Sequence, residues 1–123
     1  MGTKGFVILS SDLNDNNAPI LGVTSDGFDQ NLVVLGRELM STAREMRVLT
    51  KFRNGDRETV KQVMNQVSER NDNWPFLDTR RNACFVSYSV VLDPKEGTMR
   101  RYEGNLEYRI TEGDSVISRK VAV

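Results

Sequence analysis

The stretch DQNLVVLGRELMSTAREMRVLTKF, residues 29–52, is the longest helical pattern in the chain. Leu32, Leu35, Leu39, Ala43, Met46 and Leu49 recur at steps of three and four, which places them on one stripe of an amphipathic helix running from Asp29 to Phe52. At 1.5 Å per residue such a helix spans roughly 35 Å, the width of a small domain. Its far side is not purely polar, because Val33, Met40 and Val48 interleave there with Arg37, Arg44 and Lys51. A helix that is apolar on two sides has two neighbours. In a domain this small the second neighbour is expected to be another copy of the chain. On this reading the protein is a homo-oligomer held through Val33, Met40 and Val48, and Met40→Glu separates the copies without unfolding them.

Outward from this helix the elements are short. Phe6 to Leu9 is a continuous apolar run suited to a strand buried on both faces, central in its sheet. Asn14 to Asn17 and Pro19 are turn formers leading to a second strand from Ile20 to Thr24. Together these make a hairpin with an acidic, Asn-rich tip. Asp29 is read as the N-cap of the long helix, with its carboxylate at the positive end of the dipole. At the other end, Arg53, Asn54 and Gly55 favour a left-handed stop. Asp56 then caps a second helix with Glu58 in its first turn, and its stripe is Val60, Val63, Met64 and Val67. So short a connection folds the two helices into a hairpin.

The last third reads as three antiparallel strands: Ala83 to Leu92, Thr98 to Thr111 as one long strand, and Val116 to Val123. Alternation puts Tyr102, Leu106, Tyr108 and Ile110 on one face and Arg101, Glu103, Asn105, Glu107 and Arg109 on the other. Placing Leu92 opposite Thr98 sets Ser89 against Arg101, Ser87 against Glu103 and Phe85 against Asn105, and Thr111 pairs with Asp114. The expected fold is a single α+β domain over residues 1–123, an antiparallel sheet of order ββααβββ with a two-helix hairpin packed on one face.

Lys plus Arg and Asp plus Glu number 17 each, so no global basic field draws the chain to nucleic acid. The charge is uneven: residues 1–36 carry Lys4 against Asp12, Asp15, Asp26 and Asp29, whereas basic side chains outnumber acidic ones over residues 37–81. Most of the basic residues are Arg, whose planar fork suits phosphate and carboxylate. Cys84 is the one cysteine, which fits a reducing cytosol, and neither a signal peptide nor a membrane span is expected, so the location read is cytoplasmic. The chain has no His, the residue most used for proton transfer near neutral pH and the commonest metal ligand. No metal-ligand spacing, nucleophile elbow, P-loop or dinucleotide fingerprint is present, so neither an enzyme nor a cofactor is expected.

Three places have chemistry to offer. At Asn54-Gly55-Asp56-Arg57 a glycine turn opens a helix, and backbone N–H groups with the Arg57 guanidinium suit a phosphate. The same residues also make an ordinary tight turn in which the Asp56 carboxylate competes with an anion. On the polar face of the long strand, Arg101, Asn105, Arg109 and Thr111 project with Ser87, Ser89 and Phe85, a mixture that can read a nucleotide or simply face water. Trp74 and Phe76 beside Arg80, Arg81 and Asn82 suit stacking a base and clamping a phosphate, or else a core aromatic next to Pro75.

In its order of hairpin, two helices and C-terminal strands, and in its wealth of Arg, the chain resembles the phage Thoeris anti-defence family, which sequesters cyclic ADP-ribose-type signalling molecules. The resemblance covers the chain at the level of element order. It implies a binder rather than an enzyme, acting in the host cytosol, with the ligand held by arginines and an aromatic at helix starts and strand ends. The residues that match this description are Arg57, Arg109 and Thr111, with Trp74 or Phe85 as the aromatic. The expected partner is therefore a small anionic nucleotide, besides a second copy of the chain. Two other readings fit the sequence: a module for a protein partner, such as an inhibitor or immunity protein, and a single-strand nucleic-acid binder, which the neutral charge disfavours.

Overall fold

The apolar run Gly5–Leu9 forms β1, and Ile20–Val23 forms β2, paired with it antiparallel from Gly5 opposite Val23 to Ile8 opposite Ile20. The computed structural model describes residues 5–10, 18–23, 26–71, 76–77, 88–103, 106–111 and 116–121, and of residues 76–77, 103, 106–111 and 116–121 it describes the backbone and its pairing. Three helices follow the hairpin: α1 (Asp29–Glu45), α2 (Leu49–Arg53) and α3 (Arg57–Arg70). Five strands come next: β3 (Phe76–Leu77), β4 (Tyr88–Asp93), β5 (Thr98–Glu103), β6 (Leu106–Thr111) and β7 (Val116–Val121). All join one sheet in the order β3-β2-β1-β4-β5-β6-β7.

The α+β class and the interior place of β1 agree with the sequence reading, but the fully antiparallel sheet of order ββααβββ does not. β1 and β4 run parallel, with Val7 beside Val90 and Leu9 beside Leu92. Alternation shows which face of a strand is buried and is silent on its direction. The long strand is two strands as well, with Glu103 of β5 opposite Leu106 of β6. Crossing that connection exchanges the faces: Arg101 shares one with Tyr108, and Arg100 shares the other with Arg109.

The β4–β5 register is one residue from the expected one. Asp93 stays in the strand opposite Thr98, so Leu92 meets Met99 and Ser89 meets Tyr102 rather than Arg101. The reason lies in the turn. The Asp93 carboxylate accepts from the backbone N–H groups of Lys95 (3.0 Å) and Glu96 (3.2 Å), and Gly97, at φ 71, donates its N–H to the Asp93 carbonyl at 2.8 Å. The pairing of β6 with β7 also differs from expectation, running from Leu106 opposite Val121 to Ile110 opposite Val116 with an irregularity at Arg109/Ile110.

The expected helix from Asp29 to Phe52 breaks at Arg47. The N–H of Val48 reaches the Ala43 carbonyl at 3.0 Å and that of Arg47 the Arg44 carbonyl at 3.1 Å, with Arg47 left-handed at φ 60. This is a Schellman ending with Arg in the place Gly usually takes. The same motif ends α2, where Asp56 N–H donates to the Lys51 carbonyl and Gly55 N–H to the Phe52 carbonyl, both at 3.1 Å, with Gly55 at φ 75. The glycine stop is legible in sequence; the arginine stop is not.

The helices cover one face of the sheet. Val7, Leu9, Leu21, Val23, Val90, Leu92 and Met99 share a cluster there with the inner residues of α1 and α3, including the whole expected stripe Val60, Val63, Met64 and Val67. The other face carries a smaller cluster of Phe6, Ile8, Ala18, Ile20 and Val91, with Tyr102 against it. Two further expectations about α1 are corrected. Phe28 rather than Asp29 is its N-cap, and Asp29, in the first turn, pairs with Arg101 of β5 at 3.2 Å, tying the helix start to the sheet. Val33 (7% exposed) and Met40 (0%) lie inside the chain's own core, and Val48 is half-buried against it. The second neighbour of α1 is α3, joined to it through Arg70 with Thr42 (3.3 Å) and Glu45 (3.2 Å) and through Asn71 with Glu38 (3.1 Å). The surface assigned to self-association is thus covered within one chain.

Candidate functional site

The start of α3 is built by local chemistry. Asp56 caps it, its carboxylate accepting from the Thr59 N–H at 3.1 Å and the Thr59 hydroxyl at 2.6 Å, as a residue of its type should at that position. Those bonds hold its carboxyl below the usual value: the Thr59 hydroxyl first, then the Thr59 backbone N–H, with Lys51 adding a smaller pull. A depressed folded-state pKa contributes stability above the unfolded carboxylate value, and that contribution is lost as pH falls through the folded value. Asp56→Ala is therefore expected to lower Tm at neutral pH, with the gap closing as the pH drops below the ordinary carboxylate range. Thermal melts of the two proteins across an acid series check this, and a gap independent of pH would contradict it.

Beside this cap lies a cleft of about 250 Å³ lined by Leu9, Ala18, Pro19, Gly55, Arg57, Val60 and Pro94. Leu9 ends β1, and Pro94 follows β4 directly, so the cleft sits at the carboxyl ends of the one parallel pair in the sheet. In sheets with parallel strands that is where ligands gather. The turn at Gly55 and the N-terminus of α3 complete it, and because the Asp56 carboxylate already caps that helix start, the positive charge offered to a ligand comes from Arg57. Its chemistry is narrow. Among the described residues, Arg57 is the ionisable side chain in the lining, a guanidinium that donates hydrogen bonds. Such a cleft can hold an anion.

Of the residues expected to act together, the structure brings Arg57 to this cleft and places Arg109 and Thr111 on another face. Register puts Arg109 and Thr111 in line with Arg100 and Thr98, on the sheet face away from the helices, whereas Arg57 belongs to the helical layer. Arg57 and Arg109 do not form one clamp. Arg101, expected beside Arg109, lies on the helix face with Asp29. Asn105, Trp74 and Phe85 lie outside the described residues, as do Ser87, Arg80, Arg81 and Asn82, and of Phe76 only the backbone pairing is described. The walls Leu9, Ala18, Pro19 and Pro94 were missed because they come from segments far apart in sequence. Only the placement of a strand end beside a helix start hints at them.

Among the described residues no group of acidic or cysteine side chains is placed to hold a metal, and no helix is long and apolar enough to cross a membrane. No family model matches the sequence, and neither a curated protein nor a solved structure matches the chain.

Proposed function

We propose that the chain is a non-enzymatic binding protein that sequesters a small phosphorylated nucleotide, with the phosphoryl end in the cleft at the start of α3. The observation that carries the reading is Arg57 in the lining of a cleft formed by a helix start and the carboxyl ends of β1 and β4. A volume of about 250 Å³ lies just below the usual range for small-ligand sites. It suits a phosphoryl group and its immediate neighbours, so the base extends over the cleft rim.

A charge-assisted contact from Arg57 is worth about 1.5–3 kcal/mol, so Arg57→Ala should weaken binding by roughly tenfold or more. Arg109→Lys, on the far face, should leave binding unchanged. Thermal shift against cyclic dinucleotides, cyclic ADP-ribose and inorganic phosphate tests the reading. A probe held at about a hundred times its Kd adds about 2.7 kcal/mol, or roughly 10 °C in Tm for a chain of this size. No shift across the series, or a shift that survives Arg57→Ala, would overturn it.

A further inference from the structure

We propose that the elbow between α1 and α2 is a docking surface for an acidic peptide segment of a partner protein, one that presents an apolar side chain between carboxylates. Arg47, Val48, Leu49, Thr50 and Lys51 line a groove of about 520 Å³ there. Its floor is apolar, since Val48 and Leu49 are half-buried against the core, and its two ends are the exposed cations Arg47 and Lys51. Arg44 and Arg53 are exposed on either side of it. The one acid within this segment, Glu45, pairs with Arg70 of α3 at 3.2 Å, and Asp56, whose carboxylate feels the charge of Lys51, is bonded to Thr59. In a chain whose formal net charge is zero, the elbow is thus a local concentration of positive charge around an apolar floor.

A second observation comes from the backbone. Arg47 occupies a left-handed position, φ 60, that is strained for a non-glycine residue, and the equivalent position of the next helix ending is held by Gly55. Strain of this kind gathers where a side chain is needed at a fixed place. Here it falls on a cation in the lining of the groove.

The chemistry of the groove selects among anionic partners. Among the described residues no aromatic lines it to stack a base, and the chain has no net positive charge to follow a phosphate backbone. A membrane surface asks for a helix with a broad apolar face, and α2 has five residues with its apolar side chains turned into the fold. Carboxylates spaced to meet Arg47 and Lys51, with one aliphatic side chain between them for Val48 and Leu49, fit both the charge and the floor.

The test uses the full chain and fluorescent synthetic peptides in which glutamates flank a leucine, lysines flank a leucine, or glutamates flank a glycine. Anisotropy should report binding of the first and at least about tenfold weaker binding of the other two, with affinity falling as salt is raised. The double variant Arg47→Gly with Lys51→Glu should weaken the first peptide by about tenfold or more. Arg47→Gly alone suits the left-handed backbone, so its Tm should match or exceed that of the parent, which separates lost binding from lost folding. Equal binding of the lysine peptide, full binding by the double variant, or preferential capture by phosphatidylserine vesicles or an oligothymidine strand would each overturn the proposal.

Discussion

Met40→Glu is expected to unfold the protein rather than to change its state of assembly. Met40 is 0% exposed and belongs to the cluster between the helices and the sheet. A carboxylate there loses its hydration, and the fold must either bury the charge or bind a proton to neutralise it; both routes cost several kcal/mol. The total stability of a domain of this size is about 5–15 kcal/mol, so one such substitution removes a large part of it. Urea titration should show a much lower midpoint or no cooperative transition at neutral pH. Met40→Leu, which keeps volume and polarity, should lose less than about 1.5 kcal/mol. A Met40→Glu protein with an unchanged midpoint would mean that this face of α1 is open to solvent after all.

The second large effect is expected at Phe52. It is 0% exposed and is the one fully buried side chain of α2, a helix of five residues. A helix so short has no stability of its own, so its position depends on what it buries. Phe52→Ala should cost about 3–5 kcal/mol, through lost transfer energy and the cavity left behind. The loss should also have a local signature: the amides of Phe52, Asn54 and Asp56, bonded at 2.9–3.1 Å to the carbonyls of Val48, Thr50 and Lys51, should exchange with solvent much faster than those of α3. A loss below about 1 kcal/mol, or protection unchanged around α2, would show that α2 is seated by other contacts.

What the sequence made legible was chemistry confined to a few neighbouring residues. Asp56 as a cap, Gly55 as a left-handed stop and the stripe from Val60 to Val67 needed no knowledge of the rest of the fold. The break at Arg47 stayed hidden because Met46 and Leu49 lean on the same core as the stripe before it, so the periodicity of buried positions runs on through a change of direction. The turn between β5 and β6 was hidden for a related reason. Both faces of the sheet hold apolar clusters, and an alternating pattern can change faces at a two-residue connection without looking interrupted. The expected grouping of Arg101 with Arg109 on one strand face broke along the same line, because the connection sends them to opposite sides. Arg57 lines the cleft because its place depends on the local start of α3.

The parallel pairing of β1 with β4 also sets an order of events. β1 and β2 leave the ribosome before the helical segment, yet the neighbour that Val7 requires on its other side is Val90, beyond that whole segment. Until that part of the chain is made, the apolar strand Gly5–Leu9 has one edge without its final partner, the kind of edge through which nascent chains aggregate. Contacts between such distant residues are slow to form. The middle of the sheet therefore cannot close until β4 has been made.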